Sequence, residues 1–155
     1  MKGRSYMQAI IRYELVINEA LRSALMLDTP DEQINEFIRF FGKHIGCDRI
    51  YIFEDNKKEH VTDNTYEWCR QGIESEIDYL QGVDMDIIDW WYKAFDKKEN
   101  VIIRDVETIK NEHVYTYNTL KIQNVKRLVV CPIRYKMKSV VSLAWTIRQL
   151  MTIWV

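Results

Sequence analysis

The stretch from Cys47 to Cys69, CDRIYIFEDNKKEHVTDNTYEWC, decides the fold. Its first part, CDRIYIFED, is short and rich in β-branched and aromatic residues, which favour β-strands. The polar residues NKKEH follow as a turn, and VTDNTYEWCRQ is a second segment of the same kind. Two such segments joined by a short polar turn predict an antiparallel hairpin.

Two helices are predicted ahead of this hairpin. Residues 5–27 repeat apolar side chains at helical spacing over a broad face. The sequence DTPDEQ then separates the helices, because Thr29 can cap the second helix and Pro30 suits its first position. This helix is predicted to run to about His44, and Gly46 is expected to close it as a C-cap.

The segments after the hairpin alternate between helix and strand. In chain order they predict a helix, a strand, a helix, a strand and a last strand: MDIIDWWYKAF, NVIIRDV, ETIKNEHVYTYNTLKIQN, RLVVCPIRY and YKMKSVVSLAW. The whole order predicts one α+β domain over residues 1–155. We expect a mostly antiparallel sheet of five or six strands with helices on both faces.

Composition argues against several classes of protein. Lysine and arginine number 22 against 23 acidic residues, so the net charge of −1 favours neither nucleic acid nor an acidic membrane as a partner. The sequence has no segment apolar enough to span a bilayer, and its N-terminus does not have the pattern of a signal peptide. The widely spaced cysteines, Cys47, Cys69 and Cys131, argue against a disulfide framework and a zinc site. We expect a cytoplasmic protein without a metal site.

Aromatic side chains are the most suggestive candidate binding residues. Tyr66 and Trp68 share one face of the predicted second strand, because side chains two residues apart point the same way. An aromatic wall with one or two polar groups suits a small planar ligand. Packing in the core is the alternative explanation of these residues. The predicted pocket lies between the sheet and the helix with the adjacent tryptophans, and its candidate ligand-binding residues are Phe53, Tyr66, Trp68, Trp90, Trp91 and Cys131.

A cysteine thiol is the main candidate for an enzymatic group. Cys69 or Cys131 can act as a redox nucleophile only where a cation or a helix N-terminus stabilises the thiolate. Arg70 is predicted to point away from Cys69, and Cys131 lies in an apolar strand. Common hydrolase, metalloprotease and phosphate-loop motifs are absent from the sequence. We therefore expect no enzymatic activity and no catalytic residues, and keep a thiol-based redox enzyme as the alternative.

The first helix, within residues 1–27, carries an apolar stripe at heptad-like spacing. Ile10, Ile17 and Ala24 lie on it, with Leu21 one turn aside. Such a stripe indicates either packing within the domain or a partner helix in a homodimer. Both interpretations stay open at this point.

Over about residues 20–140 the sequence resembles a bacterial subfamily of the GAF domain. The matching blocks are CDRIYIFEDN, DNTYEWCRQGIESEIDYLQGV, IIDWWYKAF, VIIRDVE and VKRLVVCPIRY, among which NTYEWC is the most specific. The resemblance implies a small sensory module with a PAS-like antiparallel sheet that often pairs through its terminal helices. Such modules bind cyclic nucleotides, tetrapyrroles, haem or small metabolites, and they usually precede an output domain such as a diguanylate cyclase or a histidine kinase.

Three departures leave the ligand, and with it any cofactor, unidentified. A bilin-type GAF domain carries its attachment cysteine beside a histidine, and no cysteine here has a histidine neighbour. The paired cysteines of the GAF domain that reduces free methionine sulfoxide are absent, as is a cyclic-nucleotide signature of the phosphodiesterase kind. The resemblance thus implies a non-enzymatic sensor that binds a small molecule and dimerises. The alternatives are a thiol enzyme of the methionine sulfoxide reductase type and a dimerisation spacer without a ligand.

The segment 141–155 departs from the family. There the final strand reads approximately GFIGVDNP, whereas this chain reads VSLAWTIRQLMTIWV from residue 141. Reading the codons one base earlier can encode GFIGVDNP from Val140 onward, and its aspartate is forced where Trp145 precedes Thr146. We therefore expect residues 141–155 to be out-of-frame sequence. We also expect the chain to be truncated from a longer signalling protein. The last strand should still form, because VVSLAW is apolar and β-prone.

Overall fold

The computed structural model describes residues 2–135 and 138–147. The α-helices are α1 (Lys2–Ala24), α2 (Pro30–Ile45), α3 (Asp89–Asp96) and α4 (Val114–Ile122). The strands are β1 (Arg49–Asn56), β2 (Val61–Cys69), β3 (Val83–Asp84), β4 (Val101–Ile103), β5 (Arg127–Tyr135) and β6 (Lys138–Ile147). Two 3₁₀ helices, Met85–Ile88 and Val106–Ile109, precede α3 and α4.

The strands form one sheet in the order β3-β2-β1-β6-β5-β4, and each neighbouring pair is antiparallel. The predicted α+β class and the antiparallel sheet are confirmed. β6 lies between β1 and β5, so that Phe53 opposes Ser142 on one side and Asn64 on the other. The β1–β2 register shifts between Ile52 and Phe53, which leaves Thr65 as an extra, bulged residue of β2.

Two apolar clusters lie on opposite faces of the sheet. Ile50 and Ile52 of β1 pack with Ile38 of α2. Tyr51 and Phe53 belong to the cluster that α3 and α4 cover. Successive side chains of a strand point to opposite faces, so β1 alone supplies both clusters. Helices therefore cover the sheet on both sides.

Local signals place α2 as predicted. The Thr29 side chain accepts a hydrogen bond from the Glu32 amide, and the Glu32 carboxylate accepts one from the Thr29 amide, which together form a capping box. Gly46 closes the helix with φ of 73° in the left-handed region. The single helix predicted after β4 is instead a 3₁₀ helix followed by the shorter α4, and β3 was not predicted.

The apolar stripe of α1 divides between two environments. Ala24 is buried together with Ala20, whereas Ile17 and Leu21 are 39% and 45% exposed. The side chain of Ile10 and residues 148–155 lie outside what the structure describes. β6 forms as expected through the first part of the segment 141–155.

Candidate functional site

A cavity lies between the sheet and the helices α3 and α4. Its volume is about 60 Å³, measured as the space open to the centre of a water molecule. One water needs only about 10–15 Å³ on this measure, so the cavity has room for several waters or a small organic group. The lining residues are Tyr51, Phe53, Thr62, Leu80, Val83, Ile88, Trp91, Tyr115, Thr116, Thr119, Leu120, Gln123, Leu128 and Ser142.

The cavity wall is mostly apolar and has no ionised side chain among these lining residues. Burial raises the pKa of the Tyr51 phenol far above its ordinary value, so the phenol stays protonated. Its hydroxyl donates to Gln123 Oε1 over 3.1 Å. The polar groups on the wall are therefore neutral hydroxyls, an amide and an indole.

A buried arginine, Arg49, links by hydrogen bonds the elements that border one end of the cavity. Arg49 is 5% exposed and lies on the same face of β1 as Tyr51. Its Nε donates to the Glu74 carbonyl over 2.8 Å, and its Nη1 donates to the Gln123 carbonyl over 3.2 Å. Its charge is balanced by Glu76 at 3.4 Å and Glu67 at 3.9 Å. Arg49 thus connects β1, the C-terminal end of α4 and the segment 70–82.

The segment 70–82 is fastened to β2 and borders the cavity through Leu80. The Glu67 carboxylate, whose side chain is 2% exposed, accepts from the backbone amides of Glu76 and Ile77 at 3.0 Å. The backbone N–H of Asn64 donates to the Leu80 carbonyl over 2.9 Å. This segment therefore forms a wall of the cavity that hydrogen bonds keep in place.

The two adjacent tryptophans of α3 face different surroundings. Trp90 stacks on His113 with ring centroids 4.0 Å apart, and its Nε1 donates to Thr116 Oγ1 over 3.3 Å. Trp91 lines the cavity, and its buried Nε1 has no hydrogen-bond partner among the described residues. An indole N–H is a donor only, so this buried donor of Trp91 is unused within the described part of the chain.

Comparison with solved structures shows the same architecture in several proteins. The phycoerythrobilin-bound GAF domain of a cyanobacterial phytochrome superposes with a TM-score of 0.72 at 16% identity, covering 93% of this chain and 86% of that one. A phycocyanobilin-bound GAF domain of a cyanobacterial phytochrome gives 0.70 at 18% identity, covering 91% and 82%. The chain has the fold of a GAF domain.

A third structure with this fold is the free methionine-R-sulfoxide reductase of Neisseria meningitidis, with a TM-score of 0.66 at 9% identity, covering 90% of this chain and 75% of that one. No family model and no curated protein matches the sequence. At these identities the likeness establishes the GAF fold alone. The subfamily indicated by NTYEWC stays a prediction.

The six candidate binding residues occupy different parts of this GAF fold. Phe53 and Trp91 line the cavity, and Trp90 packs beside it. Tyr66 and Trp68 lie on the other face of the sheet, against α2. Because Val130 belongs to the cavity-side cluster, strand alternation turns Cys131 away from it. The structure thus brings together two of the six residues at the cavity.

Tyr66 and Trp68 fasten α2 to the sheet. The Tyr66 hydroxyl donates to Asp31 Oδ1 over 2.5 Å, and this bond raises the pKa of Tyr66 to about 12. Trp68 packs among the apolar residues of α2. For these two aromatic residues, packing explains the sequence pattern better than ligand contact.

Arg49, Gln123 and the cavity-facing threonines were missed by the sequence analysis. A signal for Arg49 does exist, because Arg49, Tyr51 and Phe53 alternate along β1 and must share a face. Gln123 carried no comparable signal, since its position depends on where α4 ends.

The three cysteines of the chain are free thiols. Burial raises the pKa of Cys47 to about 12 and that of Cys69 to about 11. Burial also raises the pKa of Cys131. All three environments therefore favour the protonated thiol over the reactive thiolate.

The hairpin brings His60 beside Asp84 and Asp86 at the surface. Their ligand-type atoms lie within 4.8 Å of one another, and all three residues are exposed. His60 Nε2 is 2.9 Å from Asp86 Oδ1, and this hydrogen bond raises the pKa of His60. The grouping is explained by this ion pair near the start of α3.

In the described part of the chain, no helix combines the length and the apolar character needed to cross a membrane.

Proposed function

We propose that this GAF domain is a non-enzymatic sensory module that binds a small molecule in the cavity between the sheet, α3 and α4. The observation that carries the proposal is the cavity itself, which has an apolar wall and room for several waters. Aromatic walls with a few neutral polar groups are typical of small-molecule sites. The solved GAF domains bound to phycoerythrobilin and phycocyanobilin support ligand binding as a use of this fold.

A ligand in this position can change the packing around it. Arg49 binds both the Gln123 carbonyl at the end of α4 and the Glu74 carbonyl of the segment 70–82. A ligand that fits one arrangement of these two walls better than another shifts the balance between them. We propose that this shift is the signal of the module.

Native mass spectrometry of the purified protein tests the proposal. We expect a small molecule to accompany the wild-type chain and to be released on denaturation. Thr119→Met should reduce its occupancy, because Thr119 lines the cavity and the longer side chain fills it. Asn118→Met is the matched control, since Asn118 is the exposed neighbouring residue on α4. If no molecule is released and a small-molecule fraction of cell extract leaves the Tm unchanged, a spacer without a ligand replaces the sensor.

The thiol-enzyme alternative makes a different prediction for thiol chemistry. The raised pKa values of Cys69 and Cys131 weigh against a redox nucleophile. Titration of the folded protein with a disulfide reagent at neutral pH should show slow modification that becomes fast on denaturation. One thiol that reacts rapidly in the folded protein would favour the enzyme.

We further propose that the module forms a homodimer through α1 in a reducing cytoplasm. Ile17 and Leu21 support this interface, because both apolar side chains are substantially exposed and lie one turn apart.

The proposal includes an origin in a longer bacterial signalling protein. The forced aspartate and the position of GFIGVDNP in the alternative frame support out-of-frame sequence at residues 141–155. Sequencing the source locus tests this point: we expect the alternative frame to continue into a helix and an output domain, and a frame without them contradicts it.

A further inference from the structure

The cavity between the sheet and the helices α3 and α4 faces solvent on one side. Its sheet-side wall is buried, since Phe53 and Leu128 are 8% and 2% exposed. On the opposite side, Tyr115 of α4 lines the cavity although it is 45% exposed, and Leu80 and Val83 are half-buried. A molecule can therefore enter the cavity between α4 and residues 80–83.

Several polar groups around the cavity already have partners within the domain. The Tyr51 hydroxyl donates to Gln123 Oε1 over 3.1 Å, and Thr116 Oγ1 accepts from Trp90 Nε1 over 3.3 Å. The indole nitrogen of Trp91 is buried out of reach of water, so it does not offer a hydrogen bond to a molecule in the cavity. These groups therefore contribute little polar surface to the cavity.

The remaining hydroxyls leave the cavity surface largely apolar. Thr62 Oγ1 donates to the Glu54 carbonyl over 3.3 Å. The other hydroxyl-bearing lining residues are Ser142, Thr119 and Tyr115, and the last two are partly exposed to solvent. Most of the surface that a molecule in the cavity can touch belongs to carbon atoms. Water finds few hydrogen-bond partners in such a space, so an apolar molecule that displaces this water gains affinity.

The charges near the cavity are paired with one another. Arg49 is the buried cation that borders this region, and Glu67 and Glu76 balance its charge at 3.9 and 3.4 Å. The lining residues themselves are uncharged. Burying an ion without a paired charge is strongly unfavourable, so this wall disfavours anionic and cationic ligands alike.

We propose that the cavity binds compact, uncharged molecules whose surface is mainly apolar, such as small aromatic or aliphatic hydrocarbons. Contact with apolar side chains such as Phe53, Leu80 and Leu128, together with the release of water, supplies the affinity. This inference rests on the proposed function, because it names the class of ligand for the same cavity.

Four probe compounds of related shape test this proposal. Toluene is neutral and apolar, and phenol has a hydroxyl in place of the methyl group. Benzoate and benzylammonium carry a negative and a positive charge. Each is titrated into the full chain with ¹³C-labelled leucine methyl groups. NMR follows the methyl signals of Leu80 and Leu128, which are assigned by their loss in Leu80→Ile and Leu128→Ile.

We expect toluene to shift both leucine signals and to bind at least about fivefold more tightly than phenol, because the phenol hydroxyl would be buried without a partner. The two charged probes should bind more weakly than both neutral ones. Thr119→Met should weaken toluene binding, whereas Asn118→Met, at an exposed position, should not. The comparison of the four probes with the wild-type chain needs no variant, so it remains decisive if Thr119→Met fails to fold.

The possible failures are distinguishable. Phenol that binds as tightly as toluene, or a charged probe that binds more tightly, overturns the apolar ligand class and leaves a small-molecule cavity in place. Toluene binding that shifts neither leucine signal places the binding site elsewhere and overturns the inference. Absence of binding by all four probes contradicts the cavity as a binding site, and with it the proposed function.

Discussion

Gly42 of α2 lies directly against the indole of Trp68 on β2, so that a Cβ at residue 42 would overlap ring atoms Cε3 and Cζ3. The same Cβ would lie 3.0 Å from Ile50 Cδ1. The helix and the sheet can approach this closely only because residue 42 has no side chain.

Gly42→Ala should therefore destabilise the domain. Alanine in a helix interior normally stabilises relative to glycine by about 1 kcal/mol, but overpacking a closed contact costs about 1–3 kcal/mol. We expect the second effect to dominate, with a lower midpoint in urea denaturation. Trp68→Leu should reverse the sign of the alanine effect in the double variant. A stabilising Gly42→Ala in the wild-type background would show that α2 can move away from the sheet.

Arg49→Met should be more damaging than the loss of an ordinary surface arginine. It leaves the buried Glu67 carboxylate without its nearby cation, and breaking a buried pair in this way costs about 3–5 kcal/mol. Adding Glu67→Gln should recover part of the loss. The control is Arg39→Met, which removes a half-exposed partner of Glu36 and should cost at most about 1 kcal/mol. Hydrogen exchange should also accelerate at the amides of Glu76 and Ile77, and unchanged exchange there would contradict the role of Arg49 in holding the segment 70–82.

Asn64→Leu should raise the free energy of unfolding by about 1–2 kcal/mol. Asn64 is 1% exposed, and neither its Oδ1 nor its Nδ2 has a partner among the described residues. Removing an unsatisfied buried amide gains the desolvation cost of that group. Thr62→Val is the matched control on the same strand: Thr62 Oγ1 donates to the Glu54 carbonyl over 3.3 Å, so its removal should destabilise. Chemical denaturation shows whether each substitution raises or lowers the free energy of unfolding. A destabilising Asn64→Leu would show that the side-chain amide of Asn64 is hydrogen-bonded in solution.

The pH dependence of stability should contain a contribution from Glu36. Hydrogen bonds from Arg39 and Ser23 lower the pKa of this carboxyl from 4.5 to about 2. Because the folded-state value is the lower one, the stabilisation is present above about pH 4.5 and is lost as the pH falls towards 2. Glu36→Gln should cost about 0.5–1 kcal/mol at neutral pH and nothing near the acid limit. Glu19→Gln, in the exposed pair with Arg22, serves as the control. A Glu36→Gln effect that persists unchanged into acid would point to lost packing instead.

Replacing Ile17 and Leu21 with glutamate should give a folded monomer. Both side chains are exposed on α1, so the charges need not enter the domain. Ala20→Glu is the contrasting variant, because Ala20 is 0% exposed and a buried charge there should unfold the packing of α1 on α2. Sedimentation and circular dichroism distinguish these outcomes. An unchanged oligomeric state in the double variant would exclude this face of α1 as the interface.

Local chemistry explains why the sequence predicted α2 and the hairpin correctly. The capping box at Thr29 and the left-handed Gly46 act within a few residues, so a short window of sequence is enough to identify them. The antiparallel α+β architecture followed from the order of such segments. The sequence could not show which residues of the apolar stripe on α1 are buried and which are exposed, because burial of Ala24 depends on how α2 crosses the helix.

The bulge at Thr65 is one reason why the cavity-facing residues of β2 were not predicted. Thr62 lines the cavity, whereas Tyr66 and Trp68 face α2, although all three have even numbers on one strand. A regular alternation would place them on one face, and the extra residue reverses it. Trp90 and Trp91 illustrate the same limit, since adjacent helical positions point about 100° apart. Only the packed structure shows which of the two meets the cavity.

The central position of β6 has a consequence for synthesis. As the chain leaves the ribosome, β1 and β2 can pair early, and β4 and β5 can pair as a second unit, but within the sheet these two strand pairs are joined only through β6. The contacts that join them, such as Arg49 with Thr146, are among the most distant in the chain. Pairings of such long sequence separation form slowly, and until they form both β1 and β5 present an open strand edge. The nascent domain should therefore depend on chaperones until residues 138–147 have emerged, and a strand with the wrong alternation at that position would leave two half-sheets prone to associate with other chains.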